Sequence, residues 1–229
     1  LINQVNGDRH FTYWRDTSAA RLLADNVHEV RAALANADMI YFSGITVAIL
    51  SPAARNGLLD IISEQRGRGA VVVFDPNYRP TLWRSMSNAR REVTKAAAGA
   101  DIVMPTFADD KALFGDEAPE ASAARYLALG VRQVVVKNGG EPALLAGPDG
   151  KEMISPDLNV LSVDPTGAGD SFNGAYLAAT LRGCDARSAV KQGHQLAARV
   201  IGHRGALLEM REAAAAVAHL NRVGTGASR

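Results

Sequence analysis

Apolar residues fall into two rhythms along this chain. Short, largely apolar runs at 39–42, 70–74, 101–104 and 133–137, polar only at their ends, alternate with longer stretches where apolar positions recur every three or four residues. The short runs read as strands buried on both faces, and the longer period reads as helices packed on them. Helices are therefore expected over 18–36, from Ser51-Pro52 to about Arg66, and over 81–98, 107–114 and 119–129. Three more are expected over 168–182, 185–202 and 207–221. Ser18 or Asp16 serves as a cap for the first, whose apolar stripe is Val27, Val30, Ala33 and Leu34. Ser51 followed by Pro52 is a helix start, and Gly67 and Gly69 are its stop. Residues 143–146 and 152–154 flank Gly147-Pro148-Asp149-Gly150, which predicts a hairpin closed by a type I turn. Residues 1–16 read as extended, and 224–229 as a frayed tail. Strands alternating with helices imply an α/β fold with a mostly parallel sheet covered on both faces.

Composition changes that picture little. Of 229 residues, 47% are hydrophobic and 21% charged, ordinary for a globular domain that can bury a sizeable core. The net charge of +1 argues against a dedicated nucleic-acid surface. No apolar run approaches a membrane span, and residues 1–16 lack the apolar core of a signal peptide. The single cysteine, Cys184, leaves no intramolecular disulfide and suits a reducing cytoplasm. The five histidines have neither metal-ligand spacing nor cysteine partners. Neither a P-loop nor a hydrolase elbow is present.

In parallel sheets ligands bind beyond the carboxyl ends of the strands, and the chemically informative residues follow those ends. Ser43-Gly44, Asp75 to Arg79, Pro105-Thr106 and Lys137 to Gly140 all do so. The main candidate is Asp164-Pro165-Thr166-Gly167-Ala168-Gly169-Asp170-Ser171-Phe172, a glycine turn entering a helix. Gly167 and Gly169 allow backbone conformations that side chains forbid, so that amides converge on an anion at the helix N-terminus. Asp170 sets a carboxylate beside that anion site, a placement explained by a base taking a proton from a hydroxyl or by the ordinary preference for acids at helix starts. Lys137 before Asn138-Gly139-Gly140 reads as a surface lysine or a phosphate contact. Arg79 between prolines reads as turn geometry or an anion clamp. Asp109 and Asp110 read as a helix N-terminal acidic pair or as groups orienting magnesium through water. In His10-Phe11-Thr12-Tyr13-Trp14-Arg15, alternation places Tyr13 and Arg15 on one face of a strand, an edge strand or a ligand-facing one.

The glycine-turn motif resembles the second signature of the ribokinase-like (PfkB) carbohydrate kinases. Phe74 to Pro80 is similar to that family's Asp-x-Asn-x-Arg segment, Val136 to Gly140 to its Lys-x-Gly segment, and His203-Arg204-Gly205-Ala206 to its terminal Gly-Ala. The resemblance implies a three-layer α/β/α sandwich, with residues 17–223 as kinase core and 1–16 as a remnant of a β lid. It implies ATP and Mg2+ as cofactors, Asp170 as catalytic base, and Gly167, Ala168 and Gly169 as anion hole. ATP contacts are implied at Asn77, Arg79, Lys137, Asn138, Gly139 and Gly140, at the same anion hole, and at His194. Phe11 to Arg15 and Gly193 to Ala206 resemble most the branch acting on 2-keto-3-deoxygluconate. Tyr13, Arg15, Arg79 and Asp170 are then the implied substrate contacts, and the partners a sugar acid and ATP, with neither nucleic acid nor membrane. Where the family carries Asn-x-x-Glu, this chain has Thr106-Phe107-Ala108-Asp109, which leaves Asp109 as the metal candidate. The chain starts at Leu1 rather than Met, and the resemblance implies that the first strands, a Gly-Gly sugar motif and most of the lid lie before it. A homo-oligomer through the lid is expected of the full-length protein. A neutral-sugar kinase, a non-catalytic nucleotide-binding module and an inactive fragment are the alternatives.

Overall fold

In a computed structural model, residues 2–5, 8–11, 17–157 and 160–209 are described, the first two segments as backbone only. Strands β1 (Ile2–Val5) and β2 (Asp8–Phe11) pair antiparallel as a separate two-stranded hairpin. The expected strand through Tyr13 and Arg15 lies outside the described residues.

A six-stranded sheet follows, ordered β3 (Met39–Ser43), β4 (Val71–Asp75), β5 (Ile102–Val103), β6 (Gln133–Val136), β7 (Ala143–Gly147) and β8 (Gly150–Ile154). The first four are parallel, and β6, β7 and β8 are antiparallel. Pro148-Asp149 closes the hairpin between Gly147 and Gly150. Alternation along the strands builds two cores. Val72, Phe74, Val103, Val134 and Val136 face one cluster. Val73, Ile102, Met104 and Val135 face the other. The first face is covered by α1 (Val27–Leu34), α2 (Gly44–Ile49), α3 (Pro52–Gly67), α4 (Met86–Ala98), α5 (Phe107–Phe114) and α6 (Pro119–Leu127). The second is covered by α7 (Ala168–Leu181) and α8 (Ala186–Ile201). The result is the three-layer α/β architecture that the hydrophobic pattern implies. Among the described residues, no helix is long and apolar enough to cross a membrane.

Three expectations change. The single helix over 18–36 is a 3-10 turn, Ala19–Leu22, followed by α1. Asn26 causes the break by accepting from the amides of His28 and Glu29, which starts a new helix. The helix over 81–98 likewise splits at Ser85, whose hydroxyl caps α4. Residues 207–209, the start of an expected helix over 207–221, are not helical, and 210–221 lie outside the described residues.

Candidate functional site

Four parallel strands end on one side of the sheet and deliver Ser43, Asp75, Thr106 and Lys137 there. Thr106 and Lys137 bridge as parallel partners, with the Phe107 amide donating to Lys137 O at 2.8 Å. The α2 backbone packs directly on the loop after β4. A Cβ at Gly44 would lie 1.9 Å from Pro76 O, so only glycine allows this approach. Beyond it, Asn77 adopts φ +35°, a left-handed conformation asparagine tolerates better than most. Its amide donates to Asp75 Oδ1 at 3.1 Å, while its own Oδ1 is buried without a partner.

At the centre is a buried polar cluster. Lys137 Nζ donates to Asp75 Oδ2 at 3.0 Å and to Asn173 Oδ1 at 3.1 Å. Asn173 Nδ2 donates to Asp75 Oδ2 at 2.7 Å and to the Tyr41 hydroxyl at 3.1 Å. Asp75, Lys137 and Asn173 are buried. Burial and the nearby carboxylates of Asp75 and Asp170 push the Tyr41 phenol up. The cluster thus ties β3, β4, β6 and α7 together beneath the glycine turn.

The turn is built from its surroundings. Asp164 Oδ1 accepts from the Thr166 amide at 2.8 Å and Oδ2 from the Gly205 amide at 2.9 Å, fastening the turn to the segment after α8. Gly167 is the α7 N-cap with φ +80°, and a Cβ there would meet Ala206 at 2.9 Å. Gly169 instead has ordinary helical backbone, and a Cβ there would lie 3.8 Å from Lys137 Nζ. Its amide and that of Asp170 open the first turn of α7 without a protein acceptor among the described residues. Asp170 is exposed at this N-terminus, one turn before the buried Asn173 on the same helix.

Several of the expected contact residues have protein partners of their own. Lys137 is not a surface lysine: its ammonium is buried and held by Asp75 and Asn173. His194 is buried. It packs edge-on to Phe172, and its Nε2 lies 3.1 Å from Ile154 O, while burial lowers its pKa. Ala168 is a poorer anion-hole member than expected, since its amide donates to Pro165 O at 3.3 Å. Asp110 is not poised for metal. It accepts from the Tyr126 hydroxyl at 2.8 Å and pairs with Arg125 at 3.1 Å, stapling α5 to α6. Asp109 is engaged by Arg79 Nη1 at 3.3 Å, and burial raises its pKa despite that arginine. Arg79 Nη1 also donates to Tyr78 O at 2.8 Å. Asn138, Gly139 and Gly140 form a turn, with Gly139 at φ +61° and the two glycines exposed. Tyr13 and Arg15 lie outside the described residues. Asn173 and Tyr41 were not picked out from the sequence. The available signal was Asn173 three residues after Asp170, one helical turn away.

Among the described residues no group of three or more His, Cys, Asp or Glu could hold a metal. Magnesium needs no such cage, since it keeps waters and commonly takes one or two protein oxygens beside phosphates. The orphaned Asn77 Oδ1 and the Asp109 carboxylate are hard oxygen donors that fit it.

Comparison with known proteins agrees with this architecture. The model of the pfkB family of carbohydrate kinases matches residues 1–213. A 2-dehydro-3-deoxygluconokinase of Escherichia coli strain K12 is 40% identical over 207 residues, covering 88% of this chain and 67% of its own length. A PfkB protein from Polaromonas sp. JS666 superimposes with TM-score 0.74 at 30% identity, covering 93% of this chain and 69% of its own. An E. coli protein described as a ribokinase II, solved with ATP and Mg2+, gives TM-score 0.77 at 25% identity, covering 93% and 68%. The chain therefore spans about two thirds of the length of these relatives.

Proposed function

This chain belongs to the pfkB family of carbohydrate kinases, and from that premise we propose that its site phosphorylates the sugar acid 2-keto-3-deoxygluconate with ATP. The observation that carries the reading is the first turn of α7, where the exposed Asp170 carboxylate stands beside two amides without acceptors. Asp170 takes the proton of the acceptor hydroxyl as its oxygen bonds to the γ-phosphorus and the bond to ADP breaks. The Gly169 and Asp170 amides and the helix dipole stabilise charge on the transferred group. Asp109 and Asn77 would hold magnesium, which would neutralise phosphate charge. The turn at Asn138, Gly139 and Gly140 gives exposed backbone for the nucleotide, and Arg79 reaches the acceptor side, a role supported by the resemblance of its segment. Arg15 and Tyr13 bind the sugar carboxylate, a role supported by the resemblance of their segment and by the 2-dehydro-3-deoxygluconokinase relative.

Coupled ADP-release assays on the full-length protein test this. Turnover should be faster with 2-keto-3-deoxygluconate than with fructose or ribose, and Arg15→Ala should erase that preference. Asp170→Asn should lower kcat by roughly 10²–10⁴ with ATP binding retained. Unchanged turnover would remove Asp170 as the base, and absent turnover in the parent would favour a nucleotide-binding module.

A further inference from the structure

A second concave surface lies away from the glycine turn, on the helix layer made by α2, α3 and α4. It encloses about 440 Å³, within the range of small-molecule sites. Guanidinium groups dominate its lining, which holds Arg21, Arg55, Arg84 and Arg91 and the single carboxylate of Glu92. That carboxylate is already engaged. Its Oε1 accepts from Arg91 Nε at 3.1 Å and Nη2 at 2.8 Å, and its Oε2 lies 3.5 Å from Arg55 Nη1. Arg55 is a buried structural member, donating to the carbonyls of Val47 at 2.6 Å and Leu50 at 3.2 Å. Arg21 and Arg84 are exposed and have no side-chain partner among the described residues.

The cleft therefore carries a positive surplus in a chain whose net charge is only +1. Two guanidiniums that line one cavity and lack a side-chain partner among the described residues suit a phosphoryl dianion, which they can grip through paired N–H donors. A bare phosphate would fill little of the volume. Asn88 and the Ser51 hydroxyl add polar groups suited to hydroxyls, and Ala48 and Leu82 add apolar wall for carbon faces. We propose that this cleft is a binding site for a phosphorylated sugar or sugar acid, the class of molecule that a carbohydrate kinase makes.

Equilibrium dialysis of the full chain against labelled 6-phosphogluconate at low ionic strength tests the site without needing turnover. Its outcome is thus separate from that of the proposed reaction. Saturable binding is expected, displaced by inorganic phosphate but not by equal gluconate. Arg21→Ala with Arg84→Ala should weaken it by roughly tenfold or more, with the melting temperature held. Asp170→Asn should leave it in place. The proposal is overturned if the parent shows no saturable binding, or if gluconate competes as well as phosphate. It is equally overturned if ATP displaces the probe while the double arginine variant still binds it, because the probe then occupies the transfer site.

Discussion

Replacing Lys137 by Met separates two roles for that residue, structural anchor and nucleotide contact. The Lys137 and Asp75 side chains are only 7% and 3% exposed, and their charged atoms are 3.0 Å apart. Met keeps the aliphatic stem but removes the ammonium, leaving the Asp75 carboxylate to neutral donors such as Asn173 Nδ2 and the Asn77 amide. Breaking one partner of a buried pair costs about 3–5 kcal/mol, a large share of the roughly 5–15 kcal/mol that holds a domain together. Urea unfolding followed by circular dichroism should show that loss for Lys137→Met. Adding Asp75→Asn removes the stranded charge, so the double variant should recover about 1–2 kcal/mol and reveal non-additive coupling. ATP titration of the same variants completes the test. If Lys137→Met stayed within about 0.5 kcal/mol of the parent while ATP binding collapsed, the anchor reading would be refuted.

Two further perturbations probe the scaffold around the site. Gly44→Ala pushes a methyl group to 1.9 Å from Pro76 O; it should cost about 1–3 kcal/mol in denaturation and weaken ATP binding, and a neutral outcome would deny that this contact sets the Asp75–Arg79 loop. Burial lifts Asp110 from 3.8 to about 6 against the pull of Arg125, so between those values the folded state holds a proton that the unfolded state has released, and stability falls as pH rises through the window. The fall amounts to roughly 3 kcal/mol at most, and Asp110→Asn should flatten it; an unaltered pH–stability slope would disprove the assignment.

The fold was legible because the sheet is buried on both faces. Uniform runs such as Val71-Val72-Val73-Phe74 have no amphipathic alternative as exposed strands, and their alternate residues feed both cores. Helix boundaries failed where a short polar side chain captured free amides, at Asn26 and Ser85, because capping competes locally with an apolar period that continues past it. The glycine turn was legible at Gly167, whose positive φ and contact with Ala206 demand glycine. Gly169 was read for the wrong reason, since its backbone is ordinary and only its nearness to Lys137 is special. The burial of Lys137 and His194 was not legible. Lys137 at a strand end reads as exposed, and the partners that bury these two lie far away in sequence: Asp75 and Asn173 for one, Ile154 and Phe172 for the other.

That distance in sequence gives the polar cluster its consequence. A buried ion pair is a poor source of net stability, because removing two charges from water offsets most of their attraction. Its value here is geometric. Asn173 stands one turn into α7, and its amide group spans Lys137 just after β6, Asp75 on β4 and Tyr41 on β3. Each partner has one position in which all four side chains are satisfied, so the start of α7 is fixed in both height and rotation. Asp170 lies one turn nearer the helix start and inherits that position while itself remaining exposed. The Asp75 carboxylate extends the same constraint to the Asn77 amide, and so toward Arg79 and its partner Asp109. A carboxylate and a pair of amides can act on one transferring group only if their separation is held before the substrate arrives. The buried cluster meets that requirement without occupying the surface where the reacting groups must meet.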